Sequence, residues 1–261
     1  MNLRLTIADN FINLGRFISE SLSVAVLRPD DLVSFNERIY NDQKVVDSWI
    51  SEDVVLRGLY DFEEYLLNTV PFSKGEVLVL GVGGGREAIA LAKRGYQVTG
   101  IDFIPEMVEG AKKNAEKFGV RLKAFTADIS ALNFKNCEEY DLVWLSTSLY
   151  SLIPSRKRRI AMLRSLNEAM KPGGYLVCQY KYEASNYPPG LSIFSKWVGR
   201  IILGNMNYQI GDVIHSGTEY QHFFPSIESI ESEFRDAGFE TKDIKLSDTV
   251  LKGLITVCKP E

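Results

Sequence analysis

Over residues 1–74 apolar side chains recur every three or four positions, a period that predicts helices. Ile7, Phe11, Leu14, Ile18 and Leu22 would line one helical face. Pro29-Asp30-Asp31 breaks that segment and opens a second helix, with Leu32, Phe35 and Ile39 to one side. Val45, Val46, Trp49 and Ile50 suggest a further turn or two, and Leu59, Phe62, Leu66 and Leu67 a fourth helix before Pro71. At residue 75 the period changes. Val77-Leu78-Val79-Leu80 is an unbroken apolar run ending in glycines, as expected of a parallel strand buried on both faces.

Further strands are expected at 97–101, 121–125, 141–145 and 175–180. Helices from Ala88 to Arg94, from Pro105 to Gly119 and over 156–170 fall between them. Gly95 sits where a C-cap glycine belongs, and Lys171-Pro172-Gly173-Gly174 reads as the turn before the fifth strand. Residues 183–224, with Pro188, Pro189 and several glycines, interrupt the alternation. A last helix, Ile227 to Ala237, precedes strands at about 239–246 and 250–258, whose short link through Ser247-Asp248 makes them an antiparallel pair. The fold class is therefore α/β: a doubly wound, mostly parallel, seven-stranded sheet with an antiparallel last strand. The domain reading is a helical cap over 1–74 and an α/β domain over 75–261, with a lid insertion at about 183–224.

Composition narrows the function only by exclusion. The 261 residues carry 30 Lys+Arg against 34 Asp+Glu, a net charge of −4 that argues against a protein held on nucleic acid by general electrostatics. Three scattered cysteines (Cys137, Cys178, Cys258) suit neither a disulfide framework nor a zinc site, and two histidines do not make a His-rich metal centre. No metal is expected. Arg4, Asp9 and Arg16 break any signal-peptide core, and no 18 apolar residues run together, so a cytoplasmic chain without a membrane span is expected.

The chemistry concentrates at Leu80-Gly81-Val82-Gly83-Gly84-Gly85, between a strand and a helix. Glycines there allow a sharp turn and close approach to a ligand, and the helix N-terminus offers free N–H groups. Asp102 ends the second strand, where a carboxylate can accept both hydroxyls of a ribose; a helix cap is the plainer role. Asp128 follows the third strand, well placed for an adenine amino group. The dinucleotide fingerprint G-x-G-x-x-G would need glycine at position 86, where this chain has Arg86.

Together these residues resemble the class I S-adenosylmethionine (SAM)-dependent methyltransferase family. Val77 to Gly85 matches its first motif, Asp102 and Asp128 its acids after strands two and three. Tyr140-Asp141-Leu142-Val143 matches its fourth strand and Lys171 to Gly174 its turn before strand five. His222-Phe223-Phe224 and Ala237-Gly238-Phe239 match its C-terminal part. Two positions depart: Val79 stands where the family carries an acid that orients the methionine end, and Tyr150-Ser151 where many relatives carry a His pair.

The resemblance implies SAM as cofactor. Gly81, Gly83 and Gly85 would surround the methionine end, Asp102 would hold the ribose and Asp128 the adenine amino group. Phe103 and Ile129 would flank the adenine, Val82, Met107 and Ser146 would complete the contacts, and Tyr40 could close over the pocket. Methyl transfer chiefly needs alignment and a dry aromatic pocket, which Tyr150, Tyr180 and Tyr182 could line. Where the acceptor loses a proton, His222 is the first candidate base, with a role hydrogen-bonded beneath the lid equally open to it, and Tyr150 the second, with pocket lining its plainer role; His215 is a weaker candidate.

The acceptor is expected to be a small molecule, not nucleic acid. The basic run Arg156-Lys157-Arg158-Arg159 reads as a solvated helix face. In the insertion Ile193, Phe194, Trp197, Val198, Ile201 and Ile202 share a helical face opposite Lys196 and Arg200. A lid packed on the domain, a homodimer contact through the N-terminal or lid helices, and a membrane or lipid contact are the readings of that face. The rival functions are a non-catalytic SAM-binding partner subunit and a methyltransferase acting on protein or RNA.

Overall fold

The computed structural model describes residues 3–129, 134, 139–183, 189–246 and 252–261. Its first part is helical, as the spacing requires. Helix α1 (Leu3–Phe17) runs through a π-helical turn (Ile18–Leu22) into α2 (Ser23–Val26). Pro29 opens α3 (Pro29–Tyr40), because its fixed φ and missing N–H suit a first turn; Asp31 accepts a hydrogen bond from the Arg28 amide there. Helix α4 (Gln43–Ile50) is capped by the Asp42 carboxylate, which accepts from the Lys44 amide at 2.9 Å. Helices α5 (Glu52–Val55) and α6 (Asp61–Asn68) complete the segment.

Then the alternation begins: β1 (Glu76–Leu80), α7 (Arg86–Lys93), β2 (Gln97–Asp102), α8 (Pro105–Lys117), β3 (Leu122–Thr126) and β4 (Tyr140–Leu145). It continues through α9 (Arg156–Ala169), β5 (Met170–Lys181), α10 (Pro189–Ile201), β6 (Asp212–His215), β7 (Glu219–His222), α11 (Ile227–Asp236), β8 (Glu240–Leu246) and β9 (Lys252–Cys258). The main sheet has the order β3-β2-β1-β4-β5-β9-β8, with β9 antiparallel to both neighbours. Beyond β1 the strand order reverses to β4, so a crevice opens at the carboxyl ends of these two strands.

Burial on both faces explains the unbroken apolar runs. Leu78, Leu80, Val143, Leu145 and Leu176 face α9 and α11 through Leu163, Leu166, Ile230 and Phe234. Val77, Val79, Leu142, Trp144 and Val177 face α6, α7 and α8 through Leu66, Ala88, Leu91, Val108 and Ala111.

The structure corrects one expectation about the strands. Lys171 to Gly174 is not a turn before the fifth strand but a bulge within β5. Met170 pairs with Tyr140 and Tyr175 with Leu142, and of the looped-out residues Gly173 and Gly174 bond the Lys259 backbone. The insertion holds α10, where the spacing from Ile193 to Ile202 predicts a helical face, and a β6–β7 hairpin whose four-residue strands are too short to betray alternation. The stripe on α1 exists, but Ile7, Phe11, Leu14 and Ile18 are exposed. The Ser247-Asp248 link lies outside the described residues.

Cap and insertion share one apolar cluster, in which Val24, Ala25 and Leu32 pack with Tyr208, Ile214 and Tyr220. Buried Asn36 on α3 joins them further. Its side-chain oxygen accepts from the Tyr220 amide at 2.8 Å, and its amide donates to the Tyr220 carbonyl at 3.3 Å.

Candidate functional site

At the carboxyl ends of β1, β2 and β4 lies a cleft open to solvent, at the place where ligands bind in open α/β sheets. Its floor is the glycine loop. The Gly81 and Val82 amides donate to the Ile101 carbonyl at 2.8 and 3.0 Å, which folds the loop back onto β2. Gly81, Gly83 and Gly85 have φ of 75°, 49° and 95°, in the left-handed region that favours glycine. Gly84 is required for another reason. A Cβ there would lie 2.2 Å from the Trp49 carbonyl oxygen, because the end of α4 is pressed onto the loop. Asn114 of α8 pins that contact by donating to the Ile50 and Gly84 carbonyls at 3.0 and 2.9 Å. Gly84→Ala should therefore destabilise the fold by about 1–3 kcal/mol, as overpacking does, in chemical denaturation; unchanged stability would remove the clamp.

Asp102 is buried at the tip of β2. One carboxylate oxygen accepts from the Gly83 amide at 2.9 Å and the other from the Ile104 amide, at the start of α8, at 3.1 Å. It is thus both a helix cap and part of the cleft. Burial raises its pKa, and the amides of Gly83, Ile104 and Phe103 oppose the rise. A carboxylate has roughly four lone-pair positions, so these backbone amides do not exhaust its capacity to accept from ligand hydroxyls.

Of the residues singled out from sequence, Tyr40, Gly81, Val82, Gly83, Asp102, Phe103, Met107, Ile129 and Ser146 line this cleft. Asp128 lines an adjoining recess with Tyr40, Phe103 and Ile129. Gly85 lines neither; it packs against Ile89 and Ala111 beneath. Tyr40 bridges the cap and the insertion, since its hydroxyl donates to Glu219 of β7 at 2.8 Å and its ring meets Phe103 edge-on. Burial, then Glu219, pushes its pKa up, so the phenol stays protonated.

The sequence reading missed Trp49, Arg86, Glu87, Thr147, Leu149 and Leu152, which also line the cleft. Arg86 is buried in a fork with Glu63 of α6, at 2.6 and 2.7 Å, and donates to Glu87 at 2.8 Å while its guanidinium lies over the Tyr60 ring. Two carboxylates thus share one guanidinium. Burial, opposed by Arg86 and reinforced by the charge of Glu63, pushes the Glu87 carboxyl up to about 7. Only tertiary structure brings α6 here, so no local pattern announces the triad.

Tyr150 and His222 lie in a separate buried network, and neither lines the cleft. The Tyr150 hydroxyl donates to Glu233 at 2.6 Å, and Arg159 grips Glu233 at 2.7 and 2.8 Å. His222 Nδ1 is 2.7 Å from Asp212, which also accepts from the Tyr220 hydroxyl. Gln209 links the two halves: its side-chain oxygen accepts from Arg159 and its amide donates to Asp212. Burial holds the Tyr150 pKa well above the phenol range; burial, then Arg159, holds His222 below the usual imidazole value. Tyr180 and Tyr182 do not line the cleft either, and His215 is exposed at the end of β6.

Residues 77–174 match the family profile described as a methyltransferase domain. A ubiquinone biosynthesis O-methyltransferase of Coxiella burnetii is 30% identical over 113 residues, 43% of this chain and 46% of the relative. The chain thus matches about half the length of that relative. A SAM-dependent methyltransferase of Methanosarcina mazei superposes with a TM-score of 0.60 at 19% identity, covering 78% of this chain and 99% of the other. A protein of Pyrococcus horikoshii gives 0.61 at 16% identity, covering 86% and 99%.

Proposed function

Because this chain belongs to the class I SAM-dependent methyltransferase family, we propose that its cleft binds SAM and presents the methyl group to a small-molecule acceptor. The observation that carries the proposal is Asp102, a buried carboxylate tied to the glycine loop with acceptor capacity left for a ribose. The cleft also fits the rest of such a ligand. The buried Ser146 hydroxyl lies beside Glu87 on the cleft wall, and nothing among the described residues lies within 4 Å of where a Gly83 side chain would begin. Phe103, Ile129 and Met107 offer apolar walls for an adenine, and Asp128 stands in the adjoining recess.

The cofactor, when bound, supplies a methyl group already activated by a positively charged sulfur. The chain then has to bind, orient and exclude water. Val79 is fully buried in the sheet core, where the family's carboxylate would have no partner. Glu87 supplies a carboxylate in its place, from the first turn of α7 and directly on the cleft. With Glu63 it leaves one negative charge in excess over Arg86, which suits a cationic methionyl end. Tyr40, Trp49 and Phe103 provide aromatic walls that tolerate a sulfonium and stay dry.

The relatives' description as ubiquinone biosynthesis O-methyltransferases supports a hydroxyl oxygen as acceptor. Alignment on one face of the cleft is the contribution we assign to the protein, worth up to roughly 7–11 kcal/mol in effective-molarity terms. Tyr150 and His222 are positioning residues in this account: their network fixes the hairpin that carries Glu219 over Tyr40. Calorimetry of Asp102→Ala tests the reading. SAM affinity should fall at least tenfold, about 1.4 kcal/mol, alongside the roughly 0.5–2 kcal/mol of stability lost with the α8 cap; unchanged affinity would overturn the ribose assignment.

A further inference from the structure

Helices α1 and α10 present apolar faces outward, and the seat of α10 shows that this is not a loosely held helix. A Cβ on Gly199 would lie 3.0 Å from the Ala25 carbonyl oxygen, and one on Gly204 only 2.5 Å from it. The Asn205 amide donates to the same carbonyl at 2.9 Å, and Ser195 is buried. Backbone therefore meets backbone on the inner side, and the outer side is fixed in place.

On that outer side Ile193, Trp197 and Ile201 follow at i, i+4 and i+8, with Trp197 59% exposed. The α1 stripe of Ile7, Phe11 and Leu14 adds a second apolar face, with Phe11 71% exposed. The two helices adjoin where the Phe17 and Phe194 rings stand 6.5 Å apart. Contiguous apolar surface of this kind marks an interaction site rather than scattered exposure.

Charge selects the occupant. Lys196 and Arg200 flank the α10 stripe, the helix carries no acid, and exposed Arg28 lies beside it, bonded to the Leu203 carbonyl. This basic rim sits on a chain with a net charge of −4. A twofold contact through α10 would set Lys196 and Arg200 near their own copies, with no acid on the helix to answer them. Aromatic and aliphatic residues on one side with Lys and Arg at the margin are instead the composition of helices lying in a lipid–water interface.

We propose that α1 and α10 form a docking surface for an anionic phospholipid bilayer. The surface goes beyond the assigned cleft, and none of its residues lines that cleft. Sedimentation of the full chain with phosphatidylcholine vesicles, with or without phosphatidylglycerol, tests it. Binding should require phosphatidylglycerol, weaken with salt, and blue-shift the Trp197 emission. Trp197→Glu, and separately Lys196→Ala with Arg200→Ala, should lower vesicle partition roughly tenfold or more without changing thermal unfolding. No binding to either vesicle, or binding indifferent to phosphatidylglycerol, would overturn the proposal. So would a solution dimer, seen by light scattering, that Trp197→Glu dissociates.

Discussion

Replacing Glu87 by Gln should weaken SAM binding roughly tenfold to a hundredfold and abolish its dependence on pH between about 5 and 8. The magnitude is that of one charge-assisted contact to a buried carboxylate, about 1.5–3 kcal/mol. The pH dependence follows from the triad. Arg86 is held in a fork by Glu63 and can neutralise only one of its two acidic neighbours. Glu87 therefore keeps its proton up to about pH 7 in the free protein. A cationic ligand favours the ionised form, so affinity should climb as pH rises toward 7 and level off above it. The groups that set this behaviour are Arg86 and Glu63, with Tyr60 beneath the guanidinium.

The same residue makes an opposite prediction for the ligand-free fold. Folding raises the Glu87 pKa, so between its unfolded value of 4.5 and about 7 the folded state binds more protons than the unfolded one. Stability is fully present below that window and is lost as pH rises through it, by up to a few kcal/mol. Glu87→Gln should remove the loss: the variant should melt higher than the parent at pH 8 and near it at pH 4.5, while binding SAM more weakly. Thermal melts and calorimetry on one pair of proteins check both signs. A variant that loses stability at pH 8, or binds SAM as tightly as the parent, would dismiss this role for Glu87.

The second large effect lies away from the cleft. Arg159→Ala should destabilise the protein by about 3–5 kcal/mol, the cost of leaving a buried carboxylate without its cation. Arg159 is fully buried, grips both oxygens of Glu233, and also donates to Gln209 and the Ile153 carbonyl. Removing it strands Glu233 and unties the hairpin from α9. The double variant with Glu233→Ala should cost less than the sum of the two single changes, because the stranded charge is gone. Urea denaturation measures all three. A loss below about 1 kcal/mol for Arg159→Ala would mean that water replaces the guanidinium and that the network does not hold the β6–β7 hairpin.

These sites differ in how far the sequence discloses them. The glycine loop, Asp102, Phe103 and Ile129 were legible because chain order alone fixes them: each follows directly on a strand of a parallel sheet, and parallel strands end on the same edge. Arg86 was read only as a missing glycine. The structure gives its positive reason, a buried fork that joins α6 to α7. Trp49 could not be read, because its place on the wall depends on where α4 packs; Glu87 follows the glycine loop by two residues, but its raised pKa depends on α6 bringing Glu63 beside it. Tyr150 shows the opposite failure. Its place just after β4 suggested the ligand edge, but a 3-10 turn at Leu149–Leu152 turns the ring under Phe224 toward Glu233. Spacing located the apolar faces of α1 and α10 as well, yet carries no information on what covers them.

All of the functional account rests on one claim, that this cleft is a SAM site. Isothermal titration of the purified full chain with SAM, at pH 6 and pH 8 in buffers of different ionisation enthalpy, tests it most directly. The account predicts a single site that binds more tightly at pH 8, and release of a proton on binding at pH 6, where Glu87 starts protonated. Absence of SAM binding at both values would contradict it.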